Sequence, residues 1–286
     1  MRLNPNLASL SVYMNYSKAL NNESISSGRV SSGQKVNNAK DSPNGIAESE
    51  RMRMQIRGLQ MAARNSQDGM SMLQTADGGL NEMNEMLHKI KELVIQSGSA
   101  SATPEDRKTI QNQIDQMVDG MDDISSDSEF NGVKLLSEDK DIEMTIGANS
   151  GEKVIISKRD VSSKNLKTED GKSLAQLKSG ELYNVKEGNN IDNALGIIDK
   201  SLNIIVSVRS QYGALQNRFQ ENVNNADSIS MQMQTADSEI RDVDVAEEMV
   251  KYSTASILVQ AGNAMMVQTN KLPQDALKIL ENVRSK

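Results

Sequence analysis

The residues that could do acid–base or metal chemistry are few, and they do not converge. The one histidine, His88, has no second His and no Cys anywhere in the 286-residue chain. A two-His zinc motif and a thiolate site are therefore both impossible. Beside Lys89 on a helical pattern, His88 reads as a solvated surface residue. Paired carboxylates occur at Asp122-Asp123 and Glu247-Glu248, but adjacent helical residues point in different directions, so both pairs read as solvated faces. Gly78-Gly79 lacks the Lys-Ser/Thr of a phosphate loop and lies inside a helical stripe. Asn15-Tyr16-Ser17 and Asn22-Glu23-Ser24 fit the N-glycan pattern by chance. No catalytic, cofactor-binding or metal-binding residue is assigned.

The elements that carry these residues are helical. There is no Trp, only 2 Phe and 5 Tyr, but 17 Met, a composition suited to thin helix-on-helix seams rather than a thick aromatic core. The longest stripe runs from Asn189 to Ile240 through Ile191, Leu195, Ile198, Leu202, Ile205, Val208, Tyr212, Leu215, Phe219 and Val223, in steps of three or four. A continuous helix there would be about 75 Å long at ~1.5 Å per residue. A second stripe spans Ile46 to about Ser97, with Gly58, Gly69, Gly78 and Gly79 inside it. Each Gly costs a helix about 1 kcal/mol, which suggests close approach to a packed neighbour. Residues 97–102 form a turn, and Thr103-Pro104-Glu105-Asp106 is a helix start.

The texture changes after Ser128. Asn131-Gly132 is a turn dipeptide, Ile142, Met144 and Ile146 alternate, and β-hairpins are expected as far as about Tyr183, at an exposed tip. Gly28 to Gly45 reads as a connector of limited regularity. The two ends carry short apolar stripes: Leu3, Leu7, Leu10 and Met14 at one, Val250, Ile257, Leu258, Ala261, Met265, Leu277 and Leu280 at the other. Isolated helices of this kind are marginal in water and order only against a partner. The expected fold is mainly α: a long antiparallel helical coiled-coil rod with a small β-hairpin region, folded back so that both termini form a helical pair. Its segments are 1–45, 46–136, 137–188, 189–244 and 245–286.

Net charge is −7 with a pI of about 5.0, and no basic footprint for nucleic acid is present. No apolar run is long enough to enter a membrane as a span. The N-terminal twenty residues are too polar for a cleavable signal peptide. Absence of Cys fits either the cytosol or an extracellular protein stabilised by assembly.

The sequence resembles bacterial flagellins. The matching motifs run in order: SSG at 31–33, QIRGL at 55–59, NSQDG at 65–69, LQTADGGL at 73–80, KELVIQ at 91–96, EFNGVKLL at 129–136, VRSQYGALQNRF at 208–219, IRDVDVAEEM at 240–249 and PQDALKIL at 273–280. The resemblance implies a secreted subunit of the extracellular flagellar filament, a homopolymer of many copies and no enzyme. Its innermost layer would be a coiled coil of the two ends, with Leu3, Leu7, Leu10, Met14, Ile257, Leu258, Ala261, Met265, Leu277 and Leu280 at polymer interfaces. It further implies export unfolded through the flagellar secretion apparatus, a chaperone on the C-terminal helix, and a filament cap. A hook-filament junction protein of similar terminal design is the alternative. In many flagellins an Arg, a Leu and a Glu bind an innate immune receptor. The matching positions are Lys89, Leu93 and Gln113, and the loss of the Arg fork and of the Glu charge implies weak recognition. Two motifs depart from the family pattern, Val30-Ser31-Ser32-Gly33 and Asp41-Ser42-Pro43-Asn44-Gly45, and the chain continues past Leu280 with Glu281–Lys286.

Overall fold

A computed structural model describes residues 6–99, 102–168, 171–179, 181–185 and 190–284, with the side chains of 272, 273 and 275–284 outside that description. Among the described residues there are five long helices: α1 Leu7–Ser32, α2 Pro43–Ser97, α3 Pro104–Asp127, α4 Ile191–Arg241 and α5 Val245–Arg284. Between α3 and α4 lie strands β1 Glu129–Phe130, β2 Val133–Lys134, β3 Ile142–Thr145 and β4 Lys153–Ile156, then one 3₁₀ turn, Leu174–Leu177. The chain separates into two compact units, Met1–Met54 with Gln232–Lys286, and Gln55–Met231.

In the first unit α1 starts where the Asn6 side chain accepts the Ser9 amide, and ends at Gly33 in the left-handed region (φ 69°). The helix therefore runs through Gly28, where a connector was expected. The stop signal is the residue that closes the last turn, and Gly33 fills that position without a Cβ penalty. Pro43 opens α2, where its missing N–H costs nothing. The chain between α1 and α2 is stitched to the break between α4 and α5. Lys35 donates its amide to the Arg241 carbonyl at 2.7 Å, and Val243 donates to the Gly33 carbonyl at 3.1 Å.

The second unit holds the main core. Leu80, Met83, Leu87, Ile90 and Val94 of α2 are fully buried, as are Ile114, Val118 and Met121 of α3 and Ile198, Ile205 and Phe219 of α4. Met83 and Met121, in phase with Leu and Ile, thus fill core space. α3 begins with a capping box: the Asp106 amide donates to Thr103 Oγ1 at 3.2 Å, and the Thr103 amide to Asp106 Oδ2 at 3.0 Å. A Cβ on Gly58 would lie 2.9 Å from Ala148 Cβ, and one on Gly69 would lie 2.8 Å from Met144 Sδ. Those two glycines let the hairpin region sit directly on α2. Gly78 has nothing within 4 Å and is a plain weak point.

Asn131 (φ 51°) and Gly132 (φ 78°) form the two left-handed corners of the β1–β2 turn, and β3 pairs with β4 from Ile142 with Ile156 to Thr145 with Lys153. The expected run of hairpins to Tyr183 stops at Ile156. The described residues between 157 and 185 are mostly irregular, and they are not an exposed tip. Val161, Leu166, Leu174, Leu177 and Val185 are all buried and belong to the same core cluster as the helices. Their spacing follows no period because an irregular strap contributes single anchors, not a stripe. α3 clamps this strap. The fully buried Gln111 donates to the Leu177 carbonyl at 2.6 Å and accepts from the Val185 amide at 2.8 Å. Asp122 accepts the Ser163 amide and hydroxyl, both at 2.7 Å.

Candidate functional site

The chemistry of this chain lies in how α1 meets α5. Asn6 Nδ2 donates to the Thr269 carbonyl at 3.1 Å near one end, and Arg29 Nη1 lies 3.7 Å from Glu248 Oε1 near the other, so the two helices are antiparallel. The face of α1 that turns inward is Ser9, Val12, Tyr16, Ala19, Glu23, Ser26 and Val30, all buried or half-buried. The matching face of α5 is Glu248, Tyr252, Ala255, Val259, Gly262, Met266 and Thr269. Both sets alternate steps of three and four, a heptad seam. The packing is close: a Cβ on Gly262 would stand 3.1 Å from the Tyr16 ring.

The seam is made largely of small and polar residues, while the greasier stripes face away from it. Leu7 is 72% exposed and Ile257 65%, and Leu10, Tyr13, Met14, Val250, Leu258, Met265 and Val267 are exposed with them. Ala261 is exposed as well. A helix pair built to live alone would bury its most apolar sides, since each large aliphatic side chain left in water forgoes about 1.5–3 kcal/mol. Of the residues expected at polymer interfaces, Leu7, Leu10, Met14, Ile257, Leu258, Ala261 and Met265 therefore stand on open surface. Leu3 and the side chains of Leu277 and Leu280 lie outside the described residues.

Sequence periodicity selected the apolar stripes and missed the seam. Hydropathy does not mark Ser9, Glu23, Ser26, Glu248 or Thr269, though their heptad spacing was there to be read. Glu248 is also a correction, because a solvated face was expected for Glu247-Glu248. Glu247 is exposed, but the Glu248 side chain is only 3% exposed. Burial alone would push its carboxyl up, yet the Ser26 hydroxyl, Lys251 and Arg29 hold it below the usual carboxylate range. Asp122 departs likewise, since it is half-buried and bound by Ser163 and Lys178.

His88 is exposed on α2, and no group of three or more metal-ligating side chains exists among the described residues. No described helix is long and apolar enough to cross a membrane. Lys89 is exposed and pairs with Glu92 at 2.8 Å, Gln113 is exposed, and Leu93 is buried.

Heptad-packed ends, outward apolar stripes and close-packed helices define the architecture of a helical structural protein. Residues 3–141 match the bacterial flagellin N-terminal helical region, and residues 195–280 match the bacterial flagellin C-terminal helical region. The chain is 36% identical over 281 residues to a flagellin of Halalkalibacterium halodurans, covering 98% of this chain and all of that one. It is 34% identical over 264 residues to the flagellar filament 31.3 kDa core protein of Treponema maltophilum, covering 88% of this chain and 90% of that one. A putative flagellar hook-associated protein from Vibrio parahaemolyticus shares the fold at a TM-score of 0.58 and 13% identity, over 71% of this chain and all of that one. The chain belongs to the bacterial flagellin family. It is a structural subunit of the flagellar filament and not an enzyme, and the junction-protein alternative is not favoured.

Proposed function

We propose that the outward stripes of α1 and α5 are the surfaces through which copies of this chain polymerise. The observation that supports this is the inversion at the terminal pair, where the weaker faces meet each other and the more apolar faces are left to water. Leu7, Leu10 and Met14 on α1, and Ile257, Leu258, Ala261 and Met265 on α5, form these surfaces, extended by Leu3, Leu277 and Leu280. Segments 1–45 and 245–286 are then the assembly element, 46–136 and 189–244 the helical support, and 137–188 the segment left to vary. In this reading the chain leaves the cell unfolded through the flagellar secretion apparatus and assembles beneath a filament cap. A chaperone covers the C-terminal helix on the way, because exposed apolar stripes would otherwise associate early.

The double variant Leu10→Gln/Ile257→Gln tests the proposal. Both side chains are exposed, so the dilute chain should unfold within about 0.5 kcal/mol of wild type. Sedimentation should nonetheless find no filaments under conditions that polymerise wild type. Normal filaments from this variant would overturn the proposal.

A further inference from the structure

Glu248 has an unusual bonding state for a carboxylate shut off from solvent. The Ser26 hydroxyl stands beside the carboxylate and its Oε2 has Lys251 Nζ at 3.4 Å, but Oε1 has no hydrogen-bond partner. The Arg29 guanidinium is 3.7 Å from Oε1, near enough to pair electrostatically and too far to bond, and its side chain is still 32% exposed. Both residues line a groove of about 490 Å³ between α1 and α5, whose rim carries the exposed Ile25, Val250 and Leu258. A buried acceptor left open is costly, and an ion pair strengthens steeply once water is removed.

We infer that this groove is a docking register for a second copy of the chain, in which seating the copy over Ile25, Val250 and Leu258 closes Arg29 onto Glu248 Oε1. The inference rests on the polymerisation reading above. A second copy is the occupant because the family self-assembles and because the rim continues the outward apolar stripe of α5. Apolar stripes alone tolerate sliding. Arg29 does not, since an apolar surface laid over a guanidinium still turned to water would desolvate it without a bonded partner. Only a register that leaves Arg29 free to swing inward avoids that penalty. A single polar group in an apolar helical seam fixes register in this way at some cost in stability.

Two variants of the full chain test it, with wild type polymerised alongside. Glu248→Gln keeps the shape and removes the charge, so the concentration needed for polymerisation should rise about tenfold through loss of the charge-assisted bond. Arg29→Leu/Glu248→Leu makes the site apolar, and electron microscopy should show its filaments in more than one helical lattice. The inference is overturned if Glu248→Gln polymerises at the wild-type concentration. It is equally overturned if the double variant gives the wild-type lattice alone, a readout that stands even where Glu248→Gln folds poorly. Failure of wild type to polymerise would instead sink the parent reading, so the two failures are distinguishable.

Discussion

Arg53 Nε lies 3.0 Å from Asp237 Oδ2, tying the first turns of α2 to the last turns of α4. Ser49 donates to the other oxygen of the same carboxylate, and Arg241 Nη1 reaches Ser49 at 3.2 Å and Glu50 at 3.1 Å. Burial pushes the Asp237 carboxyl up, but the bonds from Ser49 and Arg53 and the charges of Arg53 and Arg241 outweigh it. The carboxyl is held below its ordinary value of 3.8. A depressed folded pKa means stability that is present above 3.8 and lost as the pH falls through the lower folded value. Asp237→Asn should therefore cost about 1–2 kcal/mol near pH 7, discounted for the partly exposed Arg53. The difference from wild type should shrink at the acid end of a urea-unfolding series. A constant difference across pH would contradict the assignment.

Gly58 and Gly78 lie on the same helix and should respond oppositely to alanine. At Gly58 a methyl would meet Ala148 Cβ at 2.9 Å and its backbone Cα at 3.3 Å, and backbone does not yield easily. At Gly78 it would meet nothing, so only helix propensity counts. Gly78→Ala should stabilise by about 0.5–1 kcal/mol. Gly58→Ala should destabilise by about 1–3 kcal/mol as the hairpin region is pushed away. Thermal unfolding of the two variants side by side reads the sign directly.

Gln111 predicts how far residues 157–185 belong to the core. Its amide satisfies the Leu177 carbonyl and the Val185 amide at once, with no solvent to replace it. Gln111→Ala leaves both groups unpaired at about 1–3 kcal/mol each. Asp119→Ala removes only an exposed contact to Lys178 and should cost under about 1 kcal/mol. Denaturant unfolding ranks the two. Hydrogen exchange should also show the Val185 amide losing protection in the first variant alone.

The three central helices were legible because each carries a long stripe, and α3 also because a chemical signal marks its start. The Thr103-Pro104-Glu105-Asp106 start and the Asn131-Gly132 turn were both read from local rules and both formed. The strap from 157 to 185 was not legible, because Val161, Leu166, Leu174, Leu177 and Val185 are tertiary anchors without period. Its clamp, Gln111, is one buried polar residue among ordinary helix formers. At the ends the apolar stripes were visible, but which side of each helix its partner would take was not. Two antiparallel heptads in which small and polar residues are interleaved with the apolar ones carry little hydropathy contrast, and the contacts that distinguish that face, Asn6 with Thr269, Tyr16 with Gly262 and Arg29 with Glu248, are tertiary.

Lys89, Leu93 and Gln113 supply the last prediction, that this chain is a poor ligand for the innate immune flagellin receptor. Lys89 is already paired with Glu92, and a lysine ammonium lacks the planar fork that a bidentate contact uses. Gln113 is exposed but uncharged, and Leu93 is buried and offers little apolar surface. Lys89→Arg/Gln113→Glu restores the planar fork at one position and the carboxylate charge at the other without touching Leu93. Affinity for the soluble receptor should then rise about tenfold, the effect of roughly 1.4 kcal/mol. Wild-type affinity equal to that of strongly stimulating flagellins would show that these positions do not govern recognition here.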